Sequence, residues 1–520
     1  MNYRLVLAQL GLLASLLSGI MLAMAGLQIS AELGAGHTLD KPAMWALLIS
    51  GAAGLLIGAS AWLFNRRGSK YLGRKEALLL VATSWIAGAV LAAAPYRIWA
   101  ALRFDPGEEH PFQSFVSCYF EAMSGLTTTG ASVLSDIEAI PRSLLLWRAL
   151  TQWLGGVGIV VLFVAVLPGL GVGGKRLYQF EASGPAKTGL RPHIRDTARW
   201  LWFFYLGLSG AEILALWGCT SMPLFDAICH TFATVATGGF STRNASVGAW
   251  QDDPAVGWIV VVFMIVSGVN FGLFYQMRKG GVLSVLRDTE FRFYLVLLLC
   301  GSAAAAWALA LSGQDVALTS GATVENTPGE ATRHAVFTIV SIQTTTGFCT
   351  ADYNHWPFLA QGMLVLLMFV GGCAGSTSGG IKVIRVWVAL KVLFSEVERV
   401  FRPGVVRPVR LGDATLDADL KLATVSYALG IVLIFVLGAG GLMLLEALNP
   451  GSDCRFTSAA TAVSACLFTT GPGLAQVGAV ENYGWFSSVS KLVLCLVMVV
   501  GRLEVFAIAV LFSPSFWRRD

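Results

Sequence analysis

Charge is scarce in this chain. Only 13% of its 520 residues are Asp, Glu, Lys or Arg, 55% are hydrophobic, and mean hydropathy is +0.68. An ordinary soluble domain carries about 25% charged residues, so this composition excludes a water-soluble fold and leaves a polytopic membrane protein. No HExxH sequence, nucleophile elbow or pair of intramembrane carboxylates occurs, which removes the usual signatures of a membrane enzyme. No Walker Gly-Lys-Ser/Thr occurs either. Gly169-Leu170-Gly171-Val172-Gly173-Gly174 is glycine-rich, but it ends a hydrophobic span rather than a strand and does not read as a nucleotide loop. The nine cysteines are odd in number, scattered and without a CxxC pair, so they read as small apolar fillers rather than disulfides or metal ligands. A net charge of +5 does not point to nucleic acid; what matters is where the basic residues fall.

Against this apolar background four short polar stretches stand out. They are Leu126-Thr127-Thr128-Thr129-Gly130-Ala131, Thr234-Val235-Ala236-Thr237-Gly238-Gly239-Phe240, Ser341-Ile342-Gln343-Thr344-Thr345-Thr346-Gly347-Phe348 and Leu467-Phe468-Thr469-Thr470-Gly471-Pro472. Aligned on Gly130, Gly238, Gly347 and Gly471 they recur about 110–125 residues apart, as a long and divergent internal repeat. Each follows an apolar run of roughly 12 to 15 residues, too short as a helix to cross a bilayer core of about 30 Å, and each precedes a long hydrophobic span. The order repeated four times is span, short helix, Thr/Gly loop, span.

Irregular backbone at membrane depth leaves carbonyls unpaired, at several kcal/mol each, unless it lines a wet path or is buried in protein. A dehydrating cation supplies the missing partner. Glycine permits backbone torsions that turn successive carbonyls toward one axis, threonine adds a neutral hydroxyl, and a short helix aims its partially negative C-terminus at the same point. The candidate ion-binding residues are Thr128, Thr129 and Gly130; Ala236, Thr237 and Gly238; Thr345, Thr346 and Gly347; and Thr469, Thr470 and Gly471. No acidic residue sits in any of these loops, so backbone carbonyls rather than charge are the expected ligands. Repeat two has Val235-Ala236 where others carry Thr, and repeat four has Phe468 and Pro472 around its loop.

Residues 1–75 form an N-terminal pair of spans, near 5–27 and 43–64. Pore repeats follow at 76–175, 190–280, 291–400 and 415–520. The basic clusters all fall on one side of this scheme: Arg66, Arg67, Lys70, Arg74 and Lys75 after the second span; Lys175, Arg176, Lys187, Arg191, Arg195 and Arg199 between repeats one and two; and Arg278, Lys279, Arg287 and Arg292 after repeat two. Lys382 to Lys421 and Arg518-Arg519 continue the pattern. An excess of Lys and Arg marks the cytoplasmic side, so both termini are expected to be cytoplasmic and the four loops to face the outer half of the membrane. Asn244-Ala245-Ser246 is a chance sequon on the outer side. His230 and His334, in the short helices, are expected to be structural rather than proton carriers.

Two features lie beyond the loops. The second span of repeat three is interrupted at 371–380, where Gly371, Gly372, Gly375, Gly379 and Gly380 surround Ser376, Thr377 and Ser378. A helix starting outside reaches Gly371 after roughly 20 Å, just past the midplane, so the segment sits directly below the Thr/Gly loops. Close helix packing or a simple kink would also use small residues; set under four polar loops, the segment reads as a movable gate. Arg502 lies some 16 Å into the last span, a depth at which a charge faces a cavity or a partner. Glu504 is on a different helical face from it.

Through the four loops, Leu224-Phe225-Asp226-Ala227-Ile228-Cys229-His230 before the second, and Gly371-Gly372-Cys373-Ala374-Gly375-Ser376-Thr377-Ser378-Gly379-Gly380-Ile381-Lys382 after the third, the whole chain resembles the TrkH/KtrB/HKT superfamily of potassium transporters, most of all its bacterial TrkH-type members. The resemblance implies an all-α membrane fold with four repeats in pseudo-fourfold arrangement behind two extra helices. It implies potassium uptake across a bacterial inner membrane, with K+ as the transported ion and no bound organic cofactor. It favours potassium over sodium, because a serine at the first glycine position accompanies sodium permeation in the superfamily. Arg502 is implied to line the pore beside the gate as an electrostatic barrier to cations, the alternative being a structural hydrogen bond to loop carbonyls. The implied partners are a cytoplasmic nucleotide-binding subunit of the TrkA type and a second copy of the chain, within the lipid bilayer. The rival class is a sodium-coupled carrier of an organic solute, which also uses broken helices but is usually built from two inverted repeats.

Overall fold

A computed structural model describes residues 1–520 except 36–39, 67–72, 106–107, 166–193, 404–409, 412–413, 416–417, 504–507 and 519–520. The stretch Gly169–Gly174, most of the basic connection that follows it, and Glu504 lie outside the described residues. Two helices, α1 (Tyr3–Ala35) and α2 (Lys41–Asn65), precede the repeats. They pack through small residues: a Cβ on Gly11 would run into the Gly58 carbonyl, and one on Gly54 into the Ser18 hydroxyl. Lipid supplies no hydrophobic drive between helices, so such close backbone approach is what joins them. Asp40 starts α2 by accepting from the Ala43 amide at 3.0 Å, with Pro42 in the first turn.

The four repeats follow in order. Repeat one comprises α3 (Arg74–Arg103), α4 (Phe115–Leu126) and α5 (Arg142–Ala165). Repeat two comprises α6 (Ile194–Cys219), α7 (Leu224–Val235), α8 (Pro254–Ser267) and α9 (Phe271–Gly280), with a single turn, α10 (Val282–Leu286), leading on. Repeat three comprises α11 (Thr289–Ser312), α12 (Pro328–Gln343), α13 (Phe358–Phe369) and α14 (Val383–Phe401). Repeat four comprises α15 (Ala418–Ala447), α16 (Phe456–Leu467) and α17 (Ser488–Arg502). Strand structure among the described residues amounts to two short hairpins, Val316–Ala317 with Thr323–Val324 and Arg410–Leu411 with Ala414–Thr415.

By length and composition α1, α2, α3, α6, α11 and α15 can each cross a membrane. Their outward faces are apolar and exposed, as Leu429, Val432, Leu433 and Val436 of α15 illustrate, which is what contact with lipid tails requires. The chain is a membrane protein of all-α class. The short helices α4, α7, α12 and α16 are the innermost elements; from Ser117 to Leu126, for example, nearly every residue of α4 is buried. They are 12, 12, 16 and 12 residues long, too short to span.

Among the described residues two of the second spans are broken. Repeat three stops at Phe369 and resumes helix at Val383, as the sequence leads one to expect. Repeat two, whose second span carries no glycine cluster like that of repeat three, bends by 87° between α8 and α9. The cause is local. Gly268 caps α8, and the Asn270 side chain opens a new helix by accepting from the Gly272 amide at 2.8 Å.

Candidate functional site

The four Thr/Gly loops share one backbone design. Each short helix ends at a cap, respectively Thr127, Ala236, Thr344 and Phe468. The second residue after each cap returns its amide five residues back: Thr129 to the Ser124 carbonyl at 2.8 Å, Gly238 to Ala233 at 2.7 Å, Thr346 to Ser341 at 2.9 Å and Thr470 to Ala465 at 2.8 Å. Between cap and closing amide lies a threonine with left-handed backbone, Thr128 (φ 53), Thr237 (φ 52), Thr345 (φ 57) and Thr469 (φ 53). A β-branched residue there is strained by about 1–3 kcal/mol, and such strain persists only where the surroundings over-determine it. Two residues later a glycine again takes positive φ: Gly130 (86), Gly239 (76), Gly347 (82) and Gly471 (92).

This corrects the alignment drawn from sequence. In the second loop the counterpart of Gly130 is Gly239, and Gly238 is the counterpart of Thr129, Thr346 and Thr470. With two adjacent glycines either register satisfies the pattern, and only the backbone torsions decide between them.

The loops converge in a closed cycle. A Cβ added to Gly130 would collide with the Gly238 carbonyl oxygen, one on Gly239 with that of Thr346, one on Gly347 with that of Thr470, and one on Gly471 with that of Thr129. Each glycine Cα therefore lies against a main-chain oxygen of the next loop, one to two, two to three, three to four and four to one. The same four glycines line one open funnel, whose wall also carries Arg148, Arg243 and Glu481. The hydroxyl of Thr129 is turned onto Thr127 at 2.8 Å and that of Thr346 onto Thr344 at 2.8 Å, while Thr127 and Thr344 donate to helix carbonyls. These four hydroxyls are bound within their loops, while a main-chain oxygen stands at every contact between one loop and the next.

Polar side chains hold the loops from behind, among them Glu121 and Arg148, which sequence reading passed over, and His230, which it expected to be structural. Glu121, buried in α4, pairs with Arg148 of α5 at 2.7 Å and accepts from Ser132 at 3.0 Å and from the Val133 amide at 2.9 Å. His230 occupies the equivalent place in α7, bonded to Ser241 at 3.0 Å and to the Asp226 carbonyl at 2.8 Å. A buried pair is weak evidence of stability, but removing one partner leaves a charge stranded, at about 3–5 kcal/mol. A charged residue inside a short apolar helix, as Glu121 is, was the available signal. His334 bonds Thr350 at 2.9 Å, and Asn244 of the sequon ties down Ile137 and Asp136 at 2.6 and 2.9 Å, so each of these has a structural task.

The interrupted segment at 371–380 lies under the ring and touches three of its four loops or the helices that carry them. Thr377 donates to the Val235 carbonyl at the end of α7 at 3.0 Å, and the Gly379 amide donates to the Thr345 hydroxyl at 2.7 Å. A Cβ on Gly379 would collide with Thr469 and the Phe468 carbonyl. On its far side the Cys373 amide donates to the Gly268 carbonyl at 2.8 Å, the Ala374 amide to Glu290 at 2.7 Å, and Lys382 to the Ser378 carbonyl. Gly371 and Gly380 are in backbone contact where the two ends of the segment cross, and Gly372 accepts from the Val383 amide at 3.2 Å. Gly375, at positive φ, accepts from the Phe271 amide at 3.2 Å, and Ser376 donates to the Cys373 carbonyl at 2.6 Å. Arg502, 4% exposed at the end of α17, donates to the Thr377 carbonyl at 2.8 Å and to the Gly155 carbonyl of α5 at 3.4 Å. Among the described residues no carboxylate pairs with it.

Comparison with known proteins agrees with this architecture. The family model described as "TrkH: Cation transport protein" matches residues 45–519. The Trk system potassium uptake protein TrkH of Salmonella typhimurium is 36% identical over 521 residues, covering all of both chains, and its Escherichia coli K12 namesake is 36% identical over 525 residues with the same coverage. The Trk system potassium uptake protein TrkG of Escherichia coli K12 is 32% identical over 470 residues, 89% of each chain. Among solved structures, the potassium transporter TrkH from Vibrio parahaemolyticus superposes with a TM-score of 0.84 at 32% identity over the whole of both chains. A match of this extent leaves one conclusion: the chain belongs to the TrkH family of cation transport proteins.

Proposed function

We propose that this protein is the pore-forming subunit of a Trk-type potassium uptake system in a bacterial inner membrane. The observation that carries the reading is the closed cycle in which each loop's glycine Cα lies against a main-chain oxygen of the next. Potassium, as cargo, sheds its water and is coordinated by carbonyl oxygens of Thr128, Thr129 and Gly130, of Ala236, Thr237, Gly238 and Gly239, of Thr345, Thr346 and Gly347, and of Thr469, Thr470 and Gly471. Partially negative helix ends at the four caps favour a cation at the same depth. The names of the full-length relatives support potassium as the ion.

Below the ring, residues 371–380 act as the gate and Arg502 sets an electrostatic barrier beside it. The contacts of Thr377 and Gly379 with the loop ends, and the Arg502 bond to the Thr377 carbonyl, support this assignment. Both termini lie in the cytoplasm, on the side where basic residues concentrate. There a nucleotide-binding subunit of the TrkA type docks, and two copies of the chain assemble.

The test is flux in proteoliposomes. Rubidium uptake that unlabelled potassium competes, and that amino acids or sugars do not, is the expected result. Competition by an organic solute with sodium dependence would overturn it.

A further inference from the structure

The four loops are braced in two different ways, alternating round the ring. In loops one and three the brace is internal: Thr129 bonds Thr127 and Thr346 bonds Thr344, each at 2.8 Å, and each chain ends on a helix carbonyl. Loops two and four cannot build that pair. Loop two has Ala236 and Gly238 at those two places, and loop four has Phe468 opposite Thr470, whose buried hydroxyl finds no protein partner.

At these two loops a side chain from elsewhere supplies the hold. Gln152, fully buried on α5 of repeat one, crosses to loop two and grips it with both ends of its amide. Its Nε2 donates to the Gly238 carbonyl at 2.6 Å, and its Oε1 accepts from the Phe240 amide at 3.0 Å. Tyr483, 2% exposed, donates its hydroxyl to the Gly471 carbonyl of loop four at 2.8 Å, while its own amide donates to the Ser132 carbonyl beside loop one at 2.8 Å. Both are bonded to main-chain groups at the level where the loops meet.

We infer that Gln152 and Tyr483 are the positioning residues for ion selectivity in loops two and four, standing in for the internal threonine pair of loops one and three. Discrimination between cations depends on the number, direction and spacing of the carbonyl dipoles that face the ion, so a bond that fixes a carbonyl acts on it. An amide that grips donor and acceptor of one loop fixes both its height and its tilt, and a phenol from a ring-packed tyrosine fixes the carbonyl it touches. The inference rests on the reading of the ring as the ion-coordinating filter.

The experiment measures rubidium uptake into proteoliposomes competed by potassium or by sodium, at matched protein incorporation. Gln152→Ala and Tyr483→Phe are each expected to lower potassium-over-sodium discrimination about tenfold, the scale of one lost buried hydrogen bond. The triple variant Gln152→Ala, Ala236→Thr, Gly238→Thr rebuilds the internal pair and is expected to restore it. The new side chain has room, because the atoms nearest a Cβ on Gly238 are all of Gln152, and Gly238 is not at positive φ. Tyr483→Phe deletes a single oxygen, so its readout survives if Gln152→Ala does not fold. Gly239→Ala, run in parallel, is expected to abolish uptake and tests the ring itself. If Gly239→Ala abolishes uptake while Gln152→Ala and Tyr483→Phe keep wild-type discrimination, the bracing inference is overturned and the ring stands. If Gly239→Ala keeps wild-type uptake and discrimination, the ring reading falls and takes the inference with it.

Discussion

Two pieces of irregular, glycine-rich backbone sit at membrane depth in this molecule, and they are secured by different means. The ring of Thr/Gly loops is held by main-chain geometry repeated four times: the same cap, the same amide returned five residues back, the same left-handed threonine and the same glycine packed on its neighbour. The segment at 371–380 has no such repetition. Its contacts are unlike one another: the Gly268 carbonyl and the Phe271 amide bond its backbone, and Val235, Glu290, Thr345 and Arg502 each supply a further bond. Four copies of one backbone contact reinforce a single arrangement, whereas a set of unlike single bonds can be exchanged one at a time. The contrast supports the proposal that the ring stays still and the segment below it moves.

That contrast can be broken most severely at the ring. Gly239→Ala or Gly347→Ala forces a methyl into the next loop's backbone at positive φ, and rubidium uptake is expected to be all but abolished, a fall of roughly 100-fold or more, as a penalty of about 3 kcal/mol implies. Gly207→Ala, on α6 where nothing lies within 4 Å, is the matching control and should leave uptake unchanged. The next largest effect belongs below the ring. Arg502→Ala removes the donors to Thr377 and Gly155 and should raise resting cation leak about tenfold, read as uptake in the absence of stimulus. Replacing residues 371–380 by a helix of leucine and alanine should change open probability in single-channel recording; unaltered flux would count against a gate. Glu290→Ala frees the Ala374 amide and should shift the balance between closed and open states about fivefold, without changing potassium-over-sodium discrimination.

The smallest effect is expected outside both regions. Asp253 caps α8, and the Ser221 amide together with the Ala255 amide holds its carboxyl below the usual aspartate range. Its contribution is therefore complete above the ordinary aspartate pKa and is lost as pH falls through the lowered value in the folded protein. Asp253→Ala should cost about 1 kcal/mol in thermal stability in detergent at neutral pH, with selectivity unaltered.

Sequence disclosed the parts whose chemistry is compositional. Four Thr/Gly loops in an apolar chain, a glycine cluster inside the second span of repeat three, and a lone arginine deep in the last span all contradict their surroundings, and each lies where the repeat pattern places it. What stayed hidden depends on torsion or on distance in three dimensions. Gly238-Gly239 fits two registers until φ is known. The 87° bend after Ser267 is announced only by a glycine and an asparagine, a pairing common in ordinary loops. Gln152 and Tyr483 lie about 86 and 12 residues from the carbonyls they hold, and nothing in their own neighbourhoods marks them.

If the ring coordinates the ion as proposed, its being one covalent chain of unlike quarters has a consequence for how its preference among ions can be adjusted. In a channel assembled from four identical subunits, any substitution strikes every quadrant at once, and the pore is altered fourfold or not at all. Here a change at Gly130, Gly239, Gly347 or Gly471 enters one quadrant only. Permeation can therefore be tuned in graded steps, with three sides kept as reference while the fourth is varied.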